Sequence, residues 1–171
     1  MALLDWFRNL FRPKPPTPPP PQPVPGDILA QLLAAHNMER TSRGFAALFL
    51  NAKLTAAAQK HAAWMDANRT LSHIGSGGSH FDERVAAEGY SMRGGGENIA
   101  MGYASVESVV RGWMNSSGHR ANILKADRKE VGFGRSGTYW CAVFATPPGV
   151  GENMAHGVFM RIVDLPGGLS G

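Results

Sequence analysis

Cysteine is almost missing from this chain: Cys141 stands alone among 171 residues, which excludes an intrachain disulfide framework. No apolar run approaches the roughly 20 residues that a membrane-spanning helix needs. Charge is sparse, 18% of residues, and the excess of 17 Lys+Arg over 13 Asp+Glu is scattered rather than gathered into a block. No nucleic-acid partner is expected from such a pattern. Proline is absent between Gly26 and Thr146, although the chain has 12 and nine of them fall between Pro13 and Pro25. A stretch without proline is free to form helices and central strands. The hydrophobic fraction of 43% supplies one ordinary globular core and excludes wholesale disorder.

Proline thus divides the chain into a head (1–12), a spacer (13–25), a body (26–146) and an extension (147–171). In the head, Leu3, Leu4, Phe7, Leu10 and Phe11 recur at spacings of three and four, with Trp6 at the boundary of that face. Such a stripe predicts a short amphipathic helix, stable only when its apolar face is covered. A groove on a protein assembly or a membrane surface would serve as partner, so these residues are the expected docking set. The head reads poorly as a signal peptide, because Asp5 and Arg8 interrupt its apolar stretch and no small-residue cleavage site follows. The spacer predicts extended polyproline II, roughly 40 Å long at about 3.1 Å per residue. In the extension, Val158 to Val163 reads as one further strand.

The body predicts a helix from about Asp27, with Ile28, Leu29, Leu32, Leu33 and His36 on one face, and a second from about Thr55 to Asn68. A third covers Asp82 to Glu88, and a fourth runs from Ser105 to a stop at Gly118. Strands are expected at Val131 to Gly134 and Thr138 to Thr146, with an extended segment near Ala100. The second strand is apolar on both faces, which predicts a central position. The pattern is α+β: about four helices packed around a small antiparallel sheet.

Three segments combine glycine with titratable side chains: Leu71-Ser72-His73-Ile74-Gly75, Gly96-Glu97-Asn98-Ile99-Ala100, and Ser116 to Leu124 with His119. Together with His36-Asn37-Met38-Glu39-Arg40, Trp113-Met114-Asn115, Val131-Gly132-Phe133-Gly134 and Tyr139-Trp140, they make Ile28 to Thr146 resemble a CAP domain of the cysteine-rich secretory protein, antigen 5 and pathogenesis-related type 1 superfamily. The compact bacterial SCP-like branch is the nearest. The resemblance implies an α-β-α sandwich with a cleft. In the eukaryotic branch that cleft holds two histidines and two acids; His73, Glu97 and His119 match three of them. Ser116 stands where the fourth acid would be.

His73 and His119 would offer two imidazoles to zinc, the implied cofactor, but two such ligands bind weakly. Glu97 has three readings besides a purely structural one: an orienting group, a third ligand, or a catalytic base on metal-bound water. The ligand-contacting set is therefore His73, Glu97, Ser116 and His119. His36 and Arg40 read as structural, His61 as a satisfied core histidine, His80 as a residue of the Gly-Ser-rich loop close in sequence to His73, and Cys141 as an inert buried thiol. No nucleophile triad is visible, so the balance leans away from an enzyme. The leading expectation is a binding module for a lipid, glycan or peptide, tethered through its head to an envelope or assembly. The alternatives are a metal-assisted hydrolase of envelope polymer or peptide, and a structural component of a bacteriophage virion or other assembly. Those readings place the chain outside a cell or in a virion as part of an assembly, or otherwise in the cytoplasm or at a membrane periphery.

Overall fold

The computed structural model of the chain describes residues 26–149; the expected head helix, proline spacer and strand over 158–163 lie outside them. The body begins with α1 (Gly26–Thr41), which carries Asp27 in its first turn and Arg40 in its last. Both charges suit the helix dipole. A two-residue strand, β1 (Phe49–Leu50), leads into α2 (Ala52–Ala67). Asn51 caps α2, its side chain accepting from the amides of Lys53 and Leu54. A short helical turn, Ser76–Gly78, precedes α3 (Phe81–Ala87). Next come β2 (Gly94–Met101), α4 (Val106–Asn115), α5 (Ser117–Leu124), β3 (Glu130–Ser136) and β4 (Tyr139–Thr146).

The four strands form one sheet in the order β1-β3-β4-β2. β4 is central, as its two apolar faces require. Trp140, Ala142 and Phe144 join Leu32, Val109, Trp113 and Phe133 under α1, α4 and α5. Cys141, Val143 and Ala145 join Leu54, Ala58, Met65 and Val85 under α2 and α3. The result is an α-β-α sandwich.

Two features differ from the sequence reading. The sheet is mixed rather than antiparallel, because β1 pairs parallel to β3 through Phe49↔Glu130 and Leu50↔Val131. A strand of two residues carries no periodic signal. The described residues also hold five helices, not four. Gly118 does not end α4; it lies in the first turn of α5, and the break falls at Ser116, whose backbone is extended (φ −95°, ψ 124°). Glycine is tolerated there because first-turn amides lack intrahelical acceptors in any case.

Glycine is required where α2 meets β3. A Cβ on Gly132 would lie 2.1 Å from the backbone of Leu54, and one on Gly134 would lie 2.3 Å from that of Ala58. The alanine-rich helix therefore rests directly on the strand backbone. Arg40, fully buried, is the tie on the other face. It donates to the carbonyls of Ala46, Ile123, Lys125 and Arg128, holding the chain after α5 against α1.

Candidate functional site

β2 is an edge strand, and three of its outward carbonyls are occupied. Gly95 O accepts from Arg128, Glu97 O from Asn122 and Ile99 O from Trp113. These bonds take acceptors that an added strand would need. Alternation along β2 then sends neighbouring side chains to opposite faces. Glu97 pairs with Val143, on the α2/α3 face, and Asn98 with Ala142, on the α1/α4/α5 face. Both lie inside a strand rather than in the loop that their glycine neighbours suggest.

The Glu97 carboxylate is buried and engaged on both oxygens. His73 Nδ1 donates to Oε1 at 2.8 Å, and Arg84 Nη2 donates to Oε2 at 2.5 Å. The Cys141 thiol lies 3.5 Å from Oε2. Burial alone pushes the Glu97 pKa up; the His73 hydrogen bond and the Arg84 charge outweigh it and hold the group below the usual carboxylate range. Burial, and then the Glu97 charge, push the Cys141 thiol well up, so it stays protonated and inert.

Arg84 does more than pair with Glu97. Its Nη1 donates to His73 O at 3.2 Å and Ser79 O at 2.6 Å, which pins the loop carrying His73. His61 pins the same loop from α2, donating Nε2–H to Ser72 O at 2.9 Å. Burial lowers the His61 pKa, so its 4.0 Å approach to Glu97 is a contact of neutral imidazole and not an ion pair. The turn itself depends on Gly77 and Gly78, at φ 67° and 83°, a region that other residues rarely enter.

The sequence did not single out Arg84. It is a lone cation on a seven-residue helix, and such a residue reads as surface charge. His61 was placed correctly in the packed interior, but only its Nε2 is satisfied; Nδ1 has no partner in the structure.

His73 is the exposed member of the group, with its side chain 55% accessible. Its Nδ1–H is spent on Glu97, which leaves Nε2 as the ring nitrogen with no described partner. His119 is held from the other face: Asn98 Nδ2 donates to its carbonyl at 3.0 Å, and Asn122 Nδ2 donates to Asn98 Oδ1 at 2.9 Å. Its pKa is lowered by partial burial and then by electrostatic repulsion from His73. Ser116 is half-buried between α4 and α5. His80 is exposed at the start of α3, its amide donating to Glu83 Oε2.

Among the described residues, no three His, Cys, Asp or Glu side chains are grouped to hold a metal ion. Glu97, which would complete a set with the two histidines, is committed to Arg84. The residues present therefore do not fit a three-ligand zinc centre, and no chemistry is derived through one. Among the described residues, no helix is long and apolar enough to cross a membrane.

Residues 33–144 match the family model described as CAP, the cysteine-rich secretory protein family. The chain is 36% identical over 111 residues to the uncharacterized protein YkwD of Bacillus subtilis, covering 63% of this chain and 43% of that one. It is 30% identical over 114 residues to the uncharacterized membrane protein YlbC of the same organism, covering 67% and 33%. The chain thus spans less than half the length of these curated relatives. Its fold is similar to that of an extracellular protein containing an SCP domain from Bacillus anthracis (TM-score 0.69, 23% identity, 78% of this chain and 45% of that one). It is also similar to an outer surface protein of Borrelia burgdorferi (TM-score 0.67, 21% identity, 72% and 95%).

Proposed function

The chain belongs to the cysteine-rich secretory protein (CAP) family, and we propose that it is a binding module whose cleft presents His73 and His119 to a lipid, glycan or peptide of a cell envelope. One observation carries this reading: both Glu97 oxygens are taken, by His73 and by Arg84. A carboxylate so held orients an imidazole and is not free to activate water. The group left for a ligand is His73 Nε2, on an exposed side chain. Cys141 lies behind Glu97 as a protonated thiol. An envelope setting is supported by the extracellular and outer-surface proteins that share the fold. Residues 1–12, with Leu3, Leu4, Trp6, Phe7, Leu10 and Phe11, are the proposed tether to an assembly or membrane.

The test is a combined binding and turnover screen of the full chain against peptidoglycan fragments, peptides and phospholipid vesicles, with and without zinc. Saturable binding without product, abolished by His73→Ala with His119→Ala, is the expected result. Product formation lost in that double variant would establish the hydrolase instead. Deletion of Met1 to Pro25 should leave binding intact and abolish attachment.

A further inference from the structure

Gly96 lies within β2, and its φ is not positive, so backbone conformation does not explain the glycine. Its surroundings do. A Cβ built there would lie 2.7 Å from Asn122 Oδ1, 3.0 Å from Cγ and 3.5 Å from Nδ2. The three nearest atoms all belong to one side chain, whose amide fills the space that a side chain at 96 would take.

Asn122 reaches that spot from α5, three residues after His119 on the same helix. Its Nδ2 donates to Glu97 O at 3.2 Å and to Asn98 Oδ1 at 2.9 Å. Asn98 is fully buried and returns a bond to the same helix, Nδ2 donating to His119 O at 3.0 Å. Alternation puts Gly96 and Asn98 on one face of β2, paired with Phe144 and Ala142. The bare Gly96 therefore lets the amide approach both of its acceptors.

Glu97 is shared between the two halves of the cleft. Its carboxylate holds the His73 ring, and its carbonyl holds α5 through Asn122. α5 has other ties: Ile123 is buried in the core, and its carbonyl accepts from Arg40. Those hold the helix to the core, whereas the Asn122 and Asn98 amides hold it to the β2 edge.

We propose that Asn122 is a positioning residue of the cleft: it sets where α5 carries His119 along the β2 edge, and Gly96 is the empty place that its amide needs. That His119 serves a ligand rests on the binding-module reading; the contacts of Asn122 do not.

The test is imidazole NMR of the full chain, together with hydrogen exchange of the α5 amides. In Asn122→Ala two acceptors lose their donor, and the α5 amides should exchange about tenfold faster or more. The His119 ring signals should move. The His73 ring signals should stay, because Glu97 and Arg84 still hold that residue. Gly96→Ala keeps Asn122 but evicts its amide, and should give the same pattern. Added to Asn122→Ala it should speed exchange by less than about threefold, because the group that it displaces is gone. Ile123→Val loosens the same helix without touching the amides. It should speed exchange and leave the His119 ring signals in place, which separates positioning from stability. Any peptidoglycan fragment, peptide or phospholipid vesicle that binds the wild type should bind Asn122→Ala about tenfold more weakly.

The proposal is overturned if the His119 ring does not respond to Asn122→Ala, or if Ile123→Val moves it as far. It is also overturned if Gly96→Ala costs as much without Asn122 as with it, or if a bound probe is held equally well by Asn122→Ala. Failure of every probe to bind the wild type counts against the binding-module reading alone, and the ring signals still decide the role of Asn122.

Discussion

Glu97 and Asn98 are neighbours in the chain and point to opposite faces of the sheet, and each holds one of the two histidine-bearing segments. Glu97 takes the His73 ring at 2.8 Å; Asn98 takes the His119 carbonyl at 3.0 Å. The edge strand thus works as a spacer between a loop and a helix that are far apart in sequence. Asn98→Ala would free the His119 segment and leave its carbonyl and Asn122 without their shared partner. A loss of about 1–3 kcal/mol is expected. Denaturant melts give the stability, and ligand binding should weaken while the His73 NMR signals stay unchanged.

Arg84 binds Glu97, the His73 carbonyl and the Ser79 carbonyl at once. Its removal strands a buried carboxylate, which typically costs 3–5 kcal/mol. Arg84→Ala should therefore destabilise the fold by about that amount and raise the Glu97 pKa. Arg84→Lys restores a charge but not the fork that reaches three acceptors, so it should recover only part of the loss. Thermal melts of the two variants, compared with wild type, check the order.

The α2–β3 contact makes an opposite pair of glycine predictions. Gly134→Ala drives a methyl to 2.3 Å from the α2 backbone and should cost about 3 kcal/mol or more. Gly118→Ala meets nothing within 4 Å and lies in a helix, so it should be neutral or stabilising by about 0.5–1 kcal/mol. Chemical denaturation of both variants decides whether the helix rests as closely on the strand as the geometry requires.

The fold was readable wherever burial is periodic. The stripe of α1, the pattern of Val106, Val109, Val110 and Trp113, and the double alternation of β4 all report packing that repeats along one element. β1 and α5 were missed because their signals are not periodic. β1 has two residues, and α5 follows α4 across the single extended residue Ser116. The site divides in the same way. The histidines and Glu97 stand out by residue type and family motif, whereas Arg84 matters only through contacts with residues 73, 79 and 97. Those contacts exist only after folding.

Zinc affinity offers a check on the cleft. Two imidazoles without a free carboxylate should hold the ion weakly, so full chain purified without a histidine tag should lose its zinc on dialysis. Ser116→Glu would place a carboxylate at the junction before α5. Zinc affinity by calorimetry should rise at least tenfold in that variant and fall back when His119→Ala is added. No gain with Ser116→Glu would mean that Ser116 does not face the histidine pair.

His36 supplies a pH dependence that is independent of the cleft. It is fully buried, with its ring 4.8 Å from that of Phe133, 5.7 Å from Trp113 and 5.8 Å from Phe144. Nδ1 donates to Leu32 O at 2.7 Å, and Nε2 has no partner. Burial lowers its pKa from 6.5 to about 4. The unfolded chain therefore binds this proton more readily than the folded one, and the stability contributed by neutral His36 is complete above pH 6.5. It is lost as pH falls from 6.5 towards 4, by about 3 kcal/mol in all. His61 and His119 are lowered in the same sense and add to the slope. Glu97 is also lowered, from 4.5, so its contribution is lost below that value and falls in a separate window. His36→Phe keeps an aromatic ring among three others, and Leu32 O, an acceptor inside α1, retains its helical amide. Unfolding free energies measured at pH 7.0, 5.5 and 4.5 should decline less steeply in His36→Phe than in wild type, with the two chains of similar stability at pH 7.0. Parallel declines would show that His36 takes up its proton without unfolding the core around it.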